Sequence, residues 1–171
     1  YNVDKIIIPM TARDTIATFI NDKGLYMDNA NVWFITVKGA SANLMKAITC
    51  IINSTIFTVL GKSGANPQSG GYYKFNKQFL MPIPFPIEAV TEKAECVAKL
   101  AKYYTEISEL QEQYLSATFN TKEIIAGQLR QLWSELDDIC YALYKVTAQE
   151  KQQIINMGRT VSRIDLLNGV K

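Results

Sequence analysis

Apolar residues fall in short blocks over the first third of the chain, then recur at steps of three and four through its second half. Lys5-Ile6-Ile7-Ile8-Pro9, residues 15–20, and Asn31-Val32-Trp33-Phe34-Ile35-Thr36-Val37 read as strands. They are short, rich in β-branched and aromatic side chains, and stopped by Pro or by Lys38-Gly39. Asn21-Asp22-Lys23-Gly24 suits a tight turn, with Leu25 and Tyr26 leading out of it. A small, mostly antiparallel sheet is the expected result. Ser41 offers an N-cap to a helix with Leu44, Met45, Ile48, Ile51 and Ile52 on one side. That pattern continues or restarts beyond Asn53-Ser54 through Ile56, Phe57, Val59 and Leu60.

The next stretch changes character. Gly61, Gly64, Gly70 and Gly71 predict a mobile polar loop from Gly61 onward. Residues 72–79 suit an extended chain, and residues 80–86 are held extended by Pro82, Pro84 and Pro86, since a residue before proline is pushed out of the α region. A boundary is expected there. From Ile87 to about Phe119, Val90, Val97, Leu100, Tyr104, Ile107, Leu110 and Tyr114 mark one helix, interrupted at Asn120-Thr121. Ile125, Leu129, Leu132, Leu136, Ile139, Leu143 and Val146 then step by four and three along a second, a seam suited to packing on the first helix or on a partner. Thr147-Ala148-Gln149-Glu150 is a capping box opening a short helix that ends near Gly158. Beyond it, residues 159–171 offer only the little apolar surface of Ile164, Leu166 and Leu167. The expected fold is α+β: a sheet with a packed helix in residues 1–86, followed by a long antiparallel helical hairpin in residues 87–171.

Composition adds little until it is divided. The 171 residues are 48% hydrophobic and 20% charged, as in ordinary folded chains, with a net charge of +2. Residues 1–86 hold eight basic and four acidic side chains, leaving ten against twelve for residues 87–171, so the positive field belongs to the first part. No Asp or Glu stands between Asp28 and Glu88, where Lys38, Lys46, Lys62, Lys74 and Lys77 are unopposed in sequence. There is no histidine, and Cys50, Cys96 and Cys140 are too scattered for a metal or disulfide framework, so buried free thiols in a reducing, cytoplasmic setting are expected. No apolar run is long enough to span a membrane. Beginning at Tyr1 just ahead of a strand-like run, the sequence reads as a piece of a longer chain.

The chemistry concentrates in residues 61–77. Lys62, Lys74 and Lys77 suit phosphate contact, while Ser63, Asn66, Gln68, Ser69 and Asn76 carry donors and acceptors that can read base edges. Tyr72 and Tyr73 point to opposite faces of an extended chain, so at most one packs inward. Phe75, Phe79, Leu80 and Ile83 belong to the core. Arg13 could contact DNA or pair with its neighbour Asp14, the pair being the favoured expectation, and Glu135 with Asp137-Asp138 is expected to form a solvated acidic helix face. Nucleic acid is the first partner these features suggest.

In order, Lys5-Ile6-Ile7-Ile8-Pro9, Lys23-Gly24, Ile52-Asn53-Ser54, Gly70-Gly71-Tyr72-Tyr73-Lys74-Phe75-Asn76-Lys77-Gln78-Phe79-Leu80 and Pro82-Ile83-Pro84 resemble the TaqI-like C-terminal specificity domain. That domain is the target recognition part of adenine-specific DNA methyltransferases and fused restriction–methylation enzymes. The run Leu136-Asp137-Asp138-Ile139 through Thr147 and Glu150 resembles its helical ending, and the likeness covers residues 5–157. The resemblance implies double-stranded DNA as partner, read here, with S-adenosylmethionine and methyl transfer confined to a separate catalytic domain of the same polypeptide. No glycine-rich cofactor loop and no Asn-Pro-Pro-Tyr run is present, and Asn66-Pro67-Gln68 reads as a loop turn, so this stretch is expected to bind no cofactor or metal and to catalyse nothing. The hairpin would anchor it to the catalytic domain or to a second copy. The rival expectation is a protein-interaction module in which the hairpin mediates assembly and the loop is merely flexible.

Overall fold

The computed structural model describes residues 3–21, 24 and 31–169. Strands β1 (Lys5–Pro9), β2 (Thr11–Ala12), β3 (Thr18–Ile20) and β4 (Val32–Ile35) come first, then helices α1 (Ala42–Ile52) and α2 (Thr55–Gly64). The strands β5 (Asn66–Pro67) and β6 (Tyr73–Lys74) follow, and the rest is helical: α3 (Lys77–Leu80), α4 (Ile87–Thr91), α5 (Ala94–Ser116), α6 (Phe119–Leu143), α7 (Ala148–Met157) and α8 (Arg163–Leu167). The fold is α+β. The turn expected at Asn21-Asp22-Lys23-Gly24, with Leu25 and Tyr26 after it, lies largely outside the described residues.

Among the described residues two antiparallel three-stranded sheets form, in the orders β3-β1-β4 and β2-β6-β5. In the first, Ile7 stands opposite both Thr18 and Phe34. Residues 15–17 are not strand: the buried Thr15 hydroxyl donates to Ile52 O at 2.8 Å and lies 2.6 Å from the Thr58 hydroxyl, which takes it off any ladder. In the second sheet, Asn66-Pro67 is strand rather than loop turn. Proline is tolerated there because β5 lies at an edge.

Ser41 caps α1 as its position predicts, accepting from Leu44 N at 3.2 Å. The apolar run then restarts rather than continues, since buried Ser54 caps α2 by accepting from Phe57 N. The mobile loop expected from Gly61 is instead the last turn of α2. Gly61 is there for close approach: a Cβ would stand 3.1 Å from Thr15 Cγ2 and 3.4 Å from Phe75 Cε1. Residues 77–83 are not extended either. Met81 is helical (φ −58°, ψ −36°) despite preceding Pro82, because its N–H donates to Lys77 O at 2.9 Å and closes α3.

The expected first long helix is broken at Glu92-Lys93 into α4 and α5. The hairpin turn falls at Ala117-Thr118, about one helical turn earlier than Asn120-Thr121 suggests, with extended Thr118 preceding α6. Tyr103 Oη donates to Glu135 Oε2 at 2.6 Å between the two arms. The capping box is complete, with Thr147 Oγ1 accepting from Glu150 N and Glu150 Oε2 accepting from Thr147 N.

Helix α1 packs along α5, and one buried cluster runs from Ile6 and Ile8 through Ile51, Phe75 and Leu100 to Leu129, Cys140 and Ile164. It crosses the boundary expected at Pro86. Each large apolar side chain so buried contributes about 1.5–3 kcal/mol before entropy is charged. Cys50 and Cys140 are buried free thiols and Cys96 is half-buried. Among the described residues no single helix is long and apolar enough to cross a membrane. Helices α1 and α2 qualify only as a pair bent by 64°, and most of their apolar residues lie in the core.

Candidate functional site

The sheet β2-β6-β5 sorts the expected site residues by its pleat. Thr11 and Asn66 both stand opposite Lys74, and all three are exposed. One step along the ladder, Gln68 N donates to Tyr72 O at 2.7 Å, and the Arg13 guanidinium lies 5.2 Å from the Tyr72 ring centroid. Side chains two apart share a face of a strand. One outer face therefore gathers Thr11, Lys74 and Asn66 with Tyr72 and Gln68, and Arg13, in the bend after β2, joins it through its contact with the Tyr72 ring. The intervening residues turn inward: Ala12 is buried, and Tyr73 stacks on buried Phe75 with centroids 6.1 Å apart. Of the paired tyrosines, Tyr73 packs inward and Tyr72 belongs to the outer face.

The turn from β5 to β6 contains exposed Ser69 and depends on Gly70 and Gly71, whose φ angles of 72° and 76° side chains with a Cβ rarely adopt. Beyond Lys74 a shallow groove of about 590 Å³ opens, lined by Met10, Trp33 and Met81 together with Lys74, Asn76, Lys77 and Gln78. Trp33 is fixed there because its Nε1–H donates to Phe75 O at 2.9 Å. No acid lines this groove or the outer sheet face among the described residues. Lys74 and Lys77 are exposed and make no ion pair among the described residues. Sequence reasoning missed Met10, Trp33 and Met81, which reach the groove from separate elements.

Two expected contacts lie elsewhere. Lys62 is not unopposed: its amine is 2.5 Å from Asp14 Oδ1, donates to Thr160 Oγ1 at 2.6 Å, and is only 14% exposed. Ser63 stays on α2, where its hydroxyl donates to Leu60 O at 2.7 Å. Lys46 is also engaged, donating to Thr105 Oγ1 at 3.0 Å. The expected Arg13–Asp14 pair does not form: in the bend after β2 the Arg13 guanidinium lies over the Tyr72 ring, while Asp14 is buried against Lys62, Thr160 and Val161.

Asp14 belongs instead to a buried polar hub beneath the site. Besides Lys62 it accepts from Thr160 N and Val161 N, each at 3.0 Å. Burial alone would raise its pKa. The Lys62 amine, the two amides and the nearby Arg159 charge outweigh that and hold the carboxyl below its ordinary value. Arg159 donates to Asn53 O, Thr58 Oγ1 and Thr15 O, each at 3.0 Å. Its pKa is pulled down to about 10 by burial and by neighbouring Arg163, so it remains charged at neutral pH. Arg163 forks onto Asp137, with both nitrogens 3.1 Å from the carboxylate, which also accepts from Thr55 N and Thr55 Oγ1. The acidic helix face expected at Glu135 and Asp137-Asp138 is thus split. Asp137 is buried in the hub, Glu135 accepts from Tyr103, and Asp138 pairs with Lys151 at 2.7 Å. Residues 159–167, unremarkable in sequence, close the hub, and the last five of them form α8.

Compared with known proteins, the chain matches no family model, and no curated protein matches it.

Proposed function

We propose that this chain binds a specific sequence of double-stranded DNA through the outer face of β2-β6-β5 and the adjoining groove. The observation that carries the reading is a surface with unpaired cations, amide side chains and a ring, and no acid among its described residues. Lys74 and Lys77 would each neutralise a phosphate, adding about −0.9 to the slope of log K against log salt. Asn66 and Gln68 carry the amide that pairs bidentately with adenine, and Ser69 and Asn76 lie beside them. In this reading the chain is the target recognition part of an adenine-N6 DNA methyltransferase of a restriction-modification system. It works in the cytoplasm and is itself non-catalytic. S-adenosylmethionine belongs to a separate catalytic domain, against which the α5–α6 hairpin anchors this part.

One observation favours the rival, an assembly module. Leu115, Phe119 and Ile124 are 61%, 80% and 68% exposed near the hairpin turn. Fluorescence anisotropy with random-sequence duplexes at low salt, beside sedimentation for association, separates the two. Under the DNA reading the folded chain binds duplex, Lys74→Glu with Lys77→Glu abolishes that binding, and association is untouched. Absence of duplex binding by the folded chain defeats the reading.

A further inference from the structure

We infer that Arg13 reads a guanine in the DNA target. The assignment rests on the DNA reading above and adds to it a base and the residue that selects it. Arg13 is the only arginine in residues 1–86. It follows β2 directly and sits beside Tyr72 at the outer sheet face. Its acidic neighbour is unavailable, since Asp14 faces the hub and is used by Lys62, Thr160 and Val161.

The guanidinium is engaged by a cation–π contact rather than by hydrogen bonds. It lies 5.2 Å from the Tyr72 centroid, and its Nε is buried without a partner. Tyr72 is backed in turn by the turn glycine, because a Cβ on Gly70 would stand 3.5 Å from Tyr72 Cδ2. Arg13 makes no hydrogen bond or ion pair among the described residues, so its terminal nitrogens are free. A planar fork, oriented by a ring and with its donors unspent, matches the O6 and N7 acceptors that guanine shows in the major groove. An ammonium presents no such fork. Arg159 and Arg163, by contrast, spend their terminal donors on carbonyls, Thr58 and Asp137. Lys74, one step away on the same face, supplies the adjacent phosphate contact.

The test is selection of bound duplexes from a random library by the wild-type chain and by Arg13→Lys, followed by titration of the preferred site. The expected result is a guanine preference at one position that Arg13→Lys loses, with about a ten- to hundred-fold fall in discrimination there and other positions unchanged. A second arm changes the DNA instead of the protein. Replacing that guanine by 7-deazaguanine, which lacks the N7 acceptor, should weaken wild-type binding and leave Arg13→Lys unaffected. Wild-type binding with base preferences that Arg13→Lys retains, or indifference to 7-deazaguanine, overturns the assignment and leaves the DNA reading standing. No duplex binding by wild type removes both.

Discussion

Asp14 shows how one carboxylate can organise its surroundings. It is 1% exposed and satisfied by an amine and two backbone amides. Removing it leaves Lys62 and Arg159 as buried cations with one counter-charge fewer, and breaking such a group costs about 3–5 kcal/mol. Asp14→Ala should therefore lower the urea midpoint of unfolding markedly. The pH dependence has a definite sign. Because the folded carboxyl titrates below its ordinary 3.8, its stabilisation is complete above that value and is lost as pH falls through the lower folded-state pKa. Urea unfolding between pH 2 and pH 6 should show an acid-side decline that Asp14→Asn flattens. An unchanged slope would mean that other carboxylates dominate. The sequence offered Arg13 as the partner because the two are adjacent, but Arg13 lies over the Tyr72 ring and Asp14 is buried. Lys62, Thr160 and Val161 come together with Asp14 only through tertiary packing, which periodicity does not encode.

At the scale of elements, two glycines in helices predict opposite outcomes. In α6, exposed Gly127 has nothing within 4 Å of an added Cβ, so Gly127→Ala should stabilise by about 0.5–1 kcal/mol through helix propensity. In α2, Gly61→Ala makes the same helical gain but must displace Thr15 Cγ2, and Thr15 is fixed by its bonds to Ile52 and Thr58. Overpacking costs about 1–3 kcal/mol and outweighs the gain. Thermal melts of the two variants should shift in opposite directions, and a Gly61→Ala chain more stable than wild type would contradict the packing described. Elements with a local signal were legible in sequence: β1 by its isoleucines, α1 by Ser41, α7 by its capping box, the hairpin by its seam. The misreadings share a cause. Gly61 and Met81 were judged by backbone preference alone, and contacts with Thr15, Phe75 and Lys77 O decided them. Of the candidate site, Asn66, Gln68, Tyr72 and Lys74 were legible as polar residues of one stretch. The pleat that sets them beside Arg13 depends on pairing with β2, more than fifty residues earlier.

For the whole molecule, the shared core and the hub tie residues 159–167 to both ends of the chain. Ending the chain at Gly158 removes Arg159 and Arg163 together and leaves Asp137 without its fork, so the whole fold should weaken, not only the tail. The two tryptophans report on this separately, Trp33 in β4 and Trp133 on α6. Denaturation followed by fluorescence of Trp33→Phe and Trp133→Phe should give the same midpoint and slope once each variant is referenced to far-UV circular dichroism. Separate transitions would support the boundary expected near Pro86. The central claim is that the outer face of β2-β6-β5 meets duplex DNA, and amide and side-chain NMR of the folded chain titrated with duplex tests it most directly. The account predicts shifts concentrated at Thr11, Arg13, Asn66, Gln68, Tyr72, Lys74 and Lys77. Shifts confined to the hairpin around Leu115, Phe119 and Ile124, or none at all, would contradict it.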